Sequence, residues 1–422
     1  MISVITPVHK DNPDILRATA ASLQAQTYRE FEWVIVPNNG MLCPTTPLAD
    51  SLAAWGLDFP VRVVPLLETT DSVGTIKKFA FAQGTGDWLL ELDWDDLLTP
   101  DALERVALEA KLGADFAYSN CAYFKGNFEK PQRFNPVFGW TWRSFVHEGH
   151  ELDETIAMPV DAHSILWIYY APDHLRAWRR EFYAGVGGHD EKMTLADDHD
   201  LLVRTWLAGG KMVHIDRCLY LYRAEGNTWL SERNGEIQQR TAEVYRKYLT
   251  EVALRFASLH GVRALDLGGA FNRERGFQSV DLAPGSDMQF DIGRRWPLPD
   301  NSVGVIRACD VLEHIADKQL VMSEIHRVLR PGGFLLSFTP SASGKGAHMD
   351  PTHCSYWNDL SFWYWTKAQY AAFIRNDTVR FLSMVLVEEY PTEWHKARDI
   401  SYVTFEAICL KDGIRPPGLI EI

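Results

Sequence analysis

The chain of 422 residues has no apolar run of about 18 residues, so no membrane-spanning helix is expected. Its six cysteines (Cys43, Cys121, Cys218, Cys309, Cys354 and Cys409) are scattered, and none forms a C-x-x-C pair. That pattern excludes a small disulfide scaffold and reads as reduced thiols in a cytoplasmic protein. Positive charge is also scarce. Lys and Arg number 42 against 56 Asp and Glu, a formal net charge of −14. A broad basic face for non-specific nucleic-acid binding is therefore not expected, although a local basic groove stays open. No basic segment precedes the apolar start "MISVITPVHK", so a secretory signal is not expected. Internal repeats and low-complexity tracts are missing too.

What is present is typical of globular chains: 46% hydrophobic and 23% charged residues. The length predicts two or three domains. Fifteen tryptophans are many for this length. Some belong to the core, and others suit the C–H face of a sugar.

Strand and helix signals alternate from the first residues. "ISVITPV" and "FEWVIVP" read as buried strands, with "NPDILRATAASLQAQT" a helix between them. Asn12 suits its N-cap and Pro13 its first turn. "VRVVPLL" and "DWLLELD" read as further strands, and "SVGTIKKFAFAQGTG" as a helix ending at glycine. This rhythm predicts an α/β domain with a mainly parallel sheet, whose ligands sit at the carboxyl ends of the strands. From about 120 to 165 the rhythm gives way to an irregular stretch rich in aromatics, Pro and Gly, expected to be functional rather than disordered. Residues 233–259 read as a long amphipathic linking helix, with Ile237, Val244, Tyr245, Tyr248 and Val252 on its apolar stripe. The alternation restarts at "VRALDLGG". The expected organisation is therefore a domain over 1–232, a helix over 233–259 and a second α/β domain over 260–422.

The first acidic cluster lies in "GDWLLELDWDDLLTP", 86–100, at the end of a buried strand. Like charges packed together repel, so a cation suits Asp93, Asp95 and Asp96 unless they form only a solvated turn. A second cluster, "LADDHDLLVR", opens a helix, where acids also favour the helix dipole. Together with "SVITPVHKD", "SLQAQTYREFEWVIV" and "VGGHDEKMTLADDHDLLVRTWLAGG", in this order, these motifs make the N-terminal half similar to the family-2 glycosyltransferases. The resemblance covers about 225 residues and implies a GT-A fold, a nucleotide-sugar donor, a glycan acceptor and inversion at the anomeric carbon. It also implies a divalent cation, Mn²⁺ or Mg²⁺, which hard oxygen ligands suit and which offsets charge on a leaving diphosphate.

Residue by residue, the resemblance places Thr6, Pro7, Val8, Asp11 and Asn38 along the nucleotide, Asp93 near its ribose and Asp95 on the metal. Asp198 corresponds to the base that takes the acceptor proton, and Asp197 stands where the family often has Glu. Gly188 and Asp197 fall on the acceptor side. Lys77 corresponds to a basic residue near the nucleotide, or else is a solvated helix charge. Trp140 and Trp142 are sugar platforms or core residues. Tyr222 and Arg223 are placed to close over the diphosphate. "VPNNG" departs from the family, which usually carries paired aspartates there. An Asn amide both accepts and donates, so UDP does not follow as the donor nucleotide.

From about 262 to 375 the motifs "ALDLGGAFN", "FQSVDLAP", "PLPDNSVGVIRACDVLEHI" and "EIHRVLRPGGFLLSFTP" make the chain resemble a class I S-adenosylmethionine-dependent methyltransferase with a Rossmann-like fold. The cofactor implied is S-adenosylmethionine. Asp266, Gly268 and Gly269 would contact its methionine part, Asp281 its ribose and Asp291 its adenine, with Asp310 at the end of a later strand. The glycine turn is Gly268-Gly269-Ala270 rather than three alternating glycines. The spacing from Asp266 to Asp281 leaves little room for a full helix. Within "GAHMDPTHCSYWNDLSFWYW", His348, Asp350 and His353 match no strong metal signature. The segment reads as a lid over the acceptor, with His353 or His348 as a general base for a hydroxyl or as a structural histidine. His314 is either structural or faces the acceptor.

Two motif sets in one chain suggest a bifunctional enzyme that transfers a sugar and methylates that sugar or its glycan. A glycosyltransferase with a methyltransferase-like binding module, or enzymes acting on a nucleic-acid base or a protein side chain, are the alternatives.

Overall fold

The computed structural model describes residues 1–9, 12–38, 45–68, 70–136, 139–167, 172–225, 229–270, 273–376 and 378–411. Backbone contacts divide them into two units, Met1–Tyr248 and Leu249–Ile422.

The first unit is built on ten strands: β1 (Ile2–Val8), β2 (Phe31–Pro37), β3 (Val61–Val63), β4 (Trp88–Glu91), β5 (Leu97–Leu98), β6 (Phe116–Phe124), β7 (Trp142–His147), β8 (His150–Thr155), β9 (Arg176–Arg179) and β10 (Met212–Arg223). Their order is β3-β2-β1-β4-β9-β6-β10-β5, with β7 and β8 branching from β6. The block β3-β2-β1-β4 is parallel, Ile2 lying opposite both Phe31 and Trp88. β9 runs antiparallel between β4 and β6, while β6 and β10 are parallel. The sheet is thus mixed, because β9, β5 and β8 run against the other strands. Val4, Trp33, Ile35, Leu90 and Leu92 are solvent-free in the core. The β-branched Val4 and Ile35 and the aromatic Trp33 pack well on a pleated surface.

Local signals act as the sequence suggests at the helix starts. Asn12 Oδ1 accepts from the Ile15 N–H at 3.3 Å and caps Pro13–Gln24. Ser72 Oγ accepts from the Thr75 N–H and caps Val73–Ala82. The stretch expected to be irregular contains an antiparallel hairpin, β7–β8, closed by Glu148 and Gly149. Both have positive φ, +47° and +82°, which matches the twist of a two-residue hairpin turn. The mixed aromatic and polar residues of "WRSFVH", all part-buried or exposed, suit this half-exposed ribbon.

The helix Trp229–Leu259 starts four residues before the expected 233 and has a non-helical residue, Arg233. Tyr248 Oη and Lys247 Nζ reach Asp200 Oδ1 at 2.8 and 2.9 Å, so this part of the helix belongs to the first unit.

The second unit has six strands: β11 (Arg263–Leu267), β12 (Gln278–Val280), β13 (Val303–Cys309), β14 (Leu329–Pro340), β15 (Arg380–Glu389) and β16 (Tyr402–Leu410). Their order is β12-β11-β13-β14-β16-β15. The first four are parallel and β16 is antiparallel to both neighbours. Strand order reverses between β11 and β13, and ligands of such sheets sit outside the carboxyl ends at that point. No helix joins β11 to β12 among the described residues. Beyond β12 only a single bridge, Val280 to Met288, extends the sheet. Asp317 caps the helix Lys318–Val328 by accepting from the Leu320 N–H.

Candidate functional site

In the first unit the carboxyl ends of β1, β2 and β4 bring Val8, Asn38 and Glu91 to one edge of the sheet. Thr6 is buried in β1, where its Oγ1 accepts from Trp33 Nε1 at 2.9 Å. It supports the strand from within. Asn38 is buried; its N–H donates to the Val8 carbonyl, and its Oδ1 has no donor among the described residues. An unpaired buried acceptor costs about 1–3 kcal/mol, so this oxygen suits a ligand donor. Pro7 and Val8 lie beside it on β1. Asp11 lies outside the described residues.

The turn after β4 is tied from several sides. Asp96 is buried: its Oδ2 accepts from Tyr220 Oη at 2.8 Å and its Oδ1 from the Arg223 N–H at 2.7 Å. Tyr220 Oη in turn accepts from the Asp93 N–H. Arg223 Nε donates to the Asp95 carbonyl at 2.8 Å. Arg223 therefore braces the acidic turn, and its guanidinium lies over the Phe124 ring. Burial first, then Asp95 and Asp93, push the Asp96 carboxyl well above its usual range. The Asp93 and Asp95 side chains are only part-buried. Their hard oxygen donors, close enough to perturb Asp96, fit a Mg²⁺ or Mn²⁺ ion.

A second cluster lies deeper. Lys77 is neither a solvated charge nor an open cation: its Nζ pairs with Glu91 Oε1 at 2.5 Å. Burial opposes its charge, but Glu91, Asp197, Asp198 and Asp93 raise its pKa well above the usual value. Glu91 is fully buried; burial pushes its carboxyl up, yet Lys77, His174 and Arg176 pull it down to about 2. Arg176, also buried, places Nη1 2.5 Å from Asp198 Oδ2 and 3.9 Å from Glu91 Oε2. Asp198 Oδ1 accepts from the His199 N–H. Despite burial, Arg176 and Lys77 hold Asp198 far below the carboxylate range, so it is ionised at neutral pH. Asp197 behaves oppositely. Burial raises its pKa, Lys77 opposes, and Asp198 and Glu91 add repulsion, leaving it pushed up to about 7. Its Oδ2 is buried without a hydrogen-bond partner among the described residues, 3.6 Å from His189 Nε2.

The backbone explains how these groups meet. A Cβ on Gly74 would fall 1.9 Å from the Asp190 carbonyl oxygen. Only glycine lets the Val73–Ala82 helix approach the 190–193 segment so closely, which carries Lys77 toward the acids. Ala196, just before the helix Asp197–Leu207, has φ +57°. Such strain in a non-glycine residue concentrates at functional sites. Gly188 has φ +64° and packs on the Tyr183 ring; its carbonyl accepts from Arg204 Nη2 at 2.7 Å. Arg204 also bonds Asp200, so Asp200 and Arg204 orient the segment. Trp140 is buried against Met158 and Phe134, so its ring is covered and serves packing rather than a sugar. Trp142 is half-buried on β7 with the Arg133 guanidinium over its ring. Glu91 and Arg176 were not singled out by sequence. Their signal was faint: one acid within the apolar strand "WLLE", and the first of the two arginines in "RAWR".

In the second unit the predicted acids gather at the carboxyl ends of β11, β12 and β13. Asp266 is buried; its Oδ1 pairs with Arg307 Nη1 at 2.8 Å and its Oδ2 accepts from the Glu274 N–H. Gly268 has φ +72°, and a Cβ on Gly269 would fall 2.7 Å from Asp266 Oδ2. The turn therefore needs glycine, as a close backbone approach to a ligand requires. Asp281 Oδ1 accepts from the Ala283 N–H at 2.9 Å. Asp291 accepts from the Gly293 N–H and pairs with Arg294 on a half-exposed face. Asp310 has φ +50°, and its carboxylate accepts from the Tyr402 hydroxyl. The glycine turn and the part-exposed Asp281 beside the strand-order reversal fit an adenosyl cofactor.

His348, Asp350 and His353 do not form one cluster. His348 stacks on Tyr356, whereas His353 faces Glu313 and His314, two residues from the loop after β13.

Residues 3–169 match the family model "Glycosyl transferase family 2", and residues 263–337 match "Methyltransferase domain". The chain is 29% identical over 245 residues to the O-antigen biosynthesis protein RfbC of Myxococcus xanthus, covering 57% of this chain and 17% of that protein. It is 43% identical over 61 residues to a probable S-adenosylmethionine-dependent methyltransferase of Mycolicibacterium smegmatis, covering 14% of this chain and 24% of that protein. The chain thus spans less than a quarter of the length of these relatives. Among solved structures, S. aureus TarS 1–349 in complex with UDP aligns over 66% of this chain and 74% of its own, with 17% identity and a TM-score of 0.41. The mannosyltransferase PcManGT from Pyrobaculum calidifontis, in complex with GDP-Man and Mn²⁺, aligns over 55% and 59%, with 15% identity and a TM-score of 0.38. Both expected resemblances and the α/β class therefore stand: the N-terminal region matches a family-2 glycosyltransferase model, the C-terminal region matches a methyltransferase model, and each unit is built on an α/β sheet.

Proposed function

We propose that the chain is a bifunctional transferase. The first domain moves a sugar from a nucleotide-sugar to a glycan acceptor with inversion, aided by Mn²⁺ or Mg²⁺. The second methylates that sugar or glycan with S-adenosylmethionine. The supporting observation is the placement of two acid sets, each at the carboxyl ends of parallel strands in its own sheet. The first domain takes residues 1–232 and the helical residues that reach Asp200; the second takes 260–422.

Asp93 and Asp95 would hold the cation, which neutralises charge developing on the departing diphosphate. Arg223, Tyr220 and Asp96 fix the turn that carries them. Asn38 offers its buried carbonyl to a donor on the nucleotide base. Asp198 is the base: ionised beside Arg176, it accepts the proton of the acceptor hydroxyl as that oxygen attacks. Arg176, Lys77 and Glu91 are positioning residues, because their mutual pairing keeps Asp198 charged in a buried place. In the second domain Asp281 holds ribose hydroxyls, and Gly268 and Gly269 admit the methionine part. S-Adenosylmethionine supplies an activated methyl group when bound.

A thermal-shift panel tests both halves. A ligand that binds only the folded state raises its apparent stability. UDP, GDP, dTDP, CDP and CMP are compared with and without Mn²⁺, and S-adenosylhomocysteine is run separately. The expected result is a metal-dependent shift with one nucleotide and a separate shift with S-adenosylhomocysteine. No shift with any nucleotide refutes the donor site. A nucleotide shift without an S-adenosylhomocysteine shift reduces the second domain to a non-methylating module.

A further inference from the structure

The loop after β13 carries Glu313 and His314, and the segment 350–355 brings His353 against them. One ligand atom from each of Glu313, His314 and His353 lies within 4.8 Å of the others. The segment is held there by the Cys354 and Ser355 N–H groups, which both donate to the Glu313 carbonyl at 2.9 Å. Glu313 is 1% exposed. Its Oε2 accepts from Thr339 Oγ1 at 2.6 Å, while its Oε1 is buried with no hydrogen-bond partner among the described residues.

The histidines are oriented by their outer nitrogens. His353 Nδ1 lies 2.9 Å from the Ala347 carbonyl, which can only accept. The proton therefore sits on Nδ1, and Nε2 carries the lone pair, 3.9 Å from Glu313 Oε1. Thr352 Oγ1 donates to Asp350 Oδ1 at 2.6 Å and accepts from His314 Nδ1 at 3.1 Å. His314 thus also keeps Nε2 as its lone-pair nitrogen. A buried carboxylate oxygen that has no donor among the described residues lies beside two imidazoles. A buried acceptor without a donor is rare, and a cation shared with the two imidazoles would satisfy Glu313 Oε1. Outer hydrogen bonds that fix the tautomer of each imidazole are the usual support of metal-ligating histidine.

We propose that Glu313, His314 and His353 form a divalent-cation site in the second domain, and that the cation takes a hydroxyl of a polyol acceptor as a further ligand. Two nitrogens and one carboxylate suit a first-row cation such as Mn²⁺, Co²⁺ or Zn²⁺, and leave open positions. His314 is exposed, so the site is reachable from solvent. An alcohol held there loses its proton to water far more easily than when free, as metal-bound water does. This assigns His353 to a metal rather than to direct proton removal. The acceptor clause rests on the methyltransferase reading; the cation clause does not.

The full chain is titrated with Mn²⁺ alone, without nucleotide, cofactor or acceptor. Electron spin-echo envelope modulation then reports whether imidazole nitrogen is bound to the manganese. Asp93 and Asp95 supply only oxygen, so nitrogen coupling separates this site from that one. The expected result is one nitrogen-coupled Mn²⁺ per chain, with affinity falling about 10-fold or more in His314→Gln and His353→Gln. Thr352→Ala, which keeps all three ligands, is expected to weaken binding less. Manganese without nitrogen coupling in the unaltered chain overturns the proposal, whatever the variants do. Nitrogen-coupled manganese in a chain that does not bind S-adenosylhomocysteine keeps the cation site and refutes the methyltransferase reading.

Discussion

Asp197 and Asp198 are neighbours in sequence with opposite proton affinities. Arg176 lies 2.5 Å from Asp198 and none as close lies by Asp197 among the described residues. In the proposed mechanism, Asp198→Asn removes the acceptor of the hydroxyl proton. Sugar transfer is expected to fall by about 10²–10⁴ while nucleotide affinity stays within a few-fold, read from kcat and a nucleotide titration. Asp197 predicts a pH effect on stability. Its folded pKa is raised to about 7, above the ordinary carboxylate value near 4. Between those values the folded chain holds a proton that the unfolded chain has released. The resulting stability is full below about pH 4 and is lost as pH rises through 7. Asp197→Asn has no such titration. Its stability relative to the unaltered chain is expected to improve between pH 5 and pH 8 by about 1 kcal/mol or more, since one pK unit is worth about 1.4 kcal/mol. Denaturant melts at the two pH values measure it. An unchanged difference would mean that Asp197 titrates in its ordinary range.

At the scale of elements, the boundary near 232 is the point to test. Lys247 and Tyr248 both bond Asp200, which Arg204 also holds. A fragment ending at residue 232 loses both partners, each a bond to a charged group worth about 1.5–3 kcal/mol. A fragment ending at 259 keeps them. The shorter fragment is expected to melt several degrees lower or fail to fold, measured by circular dichroism.

Much of the architecture was legible because its signals are local. Asn12 and Ser72 announce their helices, and the apolar runs announce β1, β2 and β4. The hairpin β7–β8 was not legible, since its strands are half-exposed and its Glu-Gly turn is a weaker signal than Asn-Gly. The site was legible where acids crowd the chain, at 93–96 and 197–200. It was hidden where partners are far apart in sequence. Lys77 finds Glu91, and Arg176 finds Asp198, only through packing of separate elements. The Glu313–His314–His353 cluster was missed for the same reason. His353 invites grouping with its neighbours His348 and Asp350, yet the fold turns it toward residues 39 and 40 positions earlier.

At the scale of the whole molecule, the two sheets differ at their edges: the path of the first ends in two short strands, and the second in one short and one long strand. β3, β5 and β12 have three, two and three residues. Strands so short offer almost no row of free N–H and C=O groups to a second chain. β15, ten residues with the apolar sequence "RFLSMVLVEE", is the long edge of the second sheet. Its last two residues are acidic, and one of them, Glu388, is bound by Ser341 and Ser343. Charge at both ends of an otherwise adhesive strand, Arg380 at its start and the two glutamates at its finish, acts as a gatekeeper against stacking. If heated chains associate, this is the seam along which they would polymerise, and the two glutamates are what delays it.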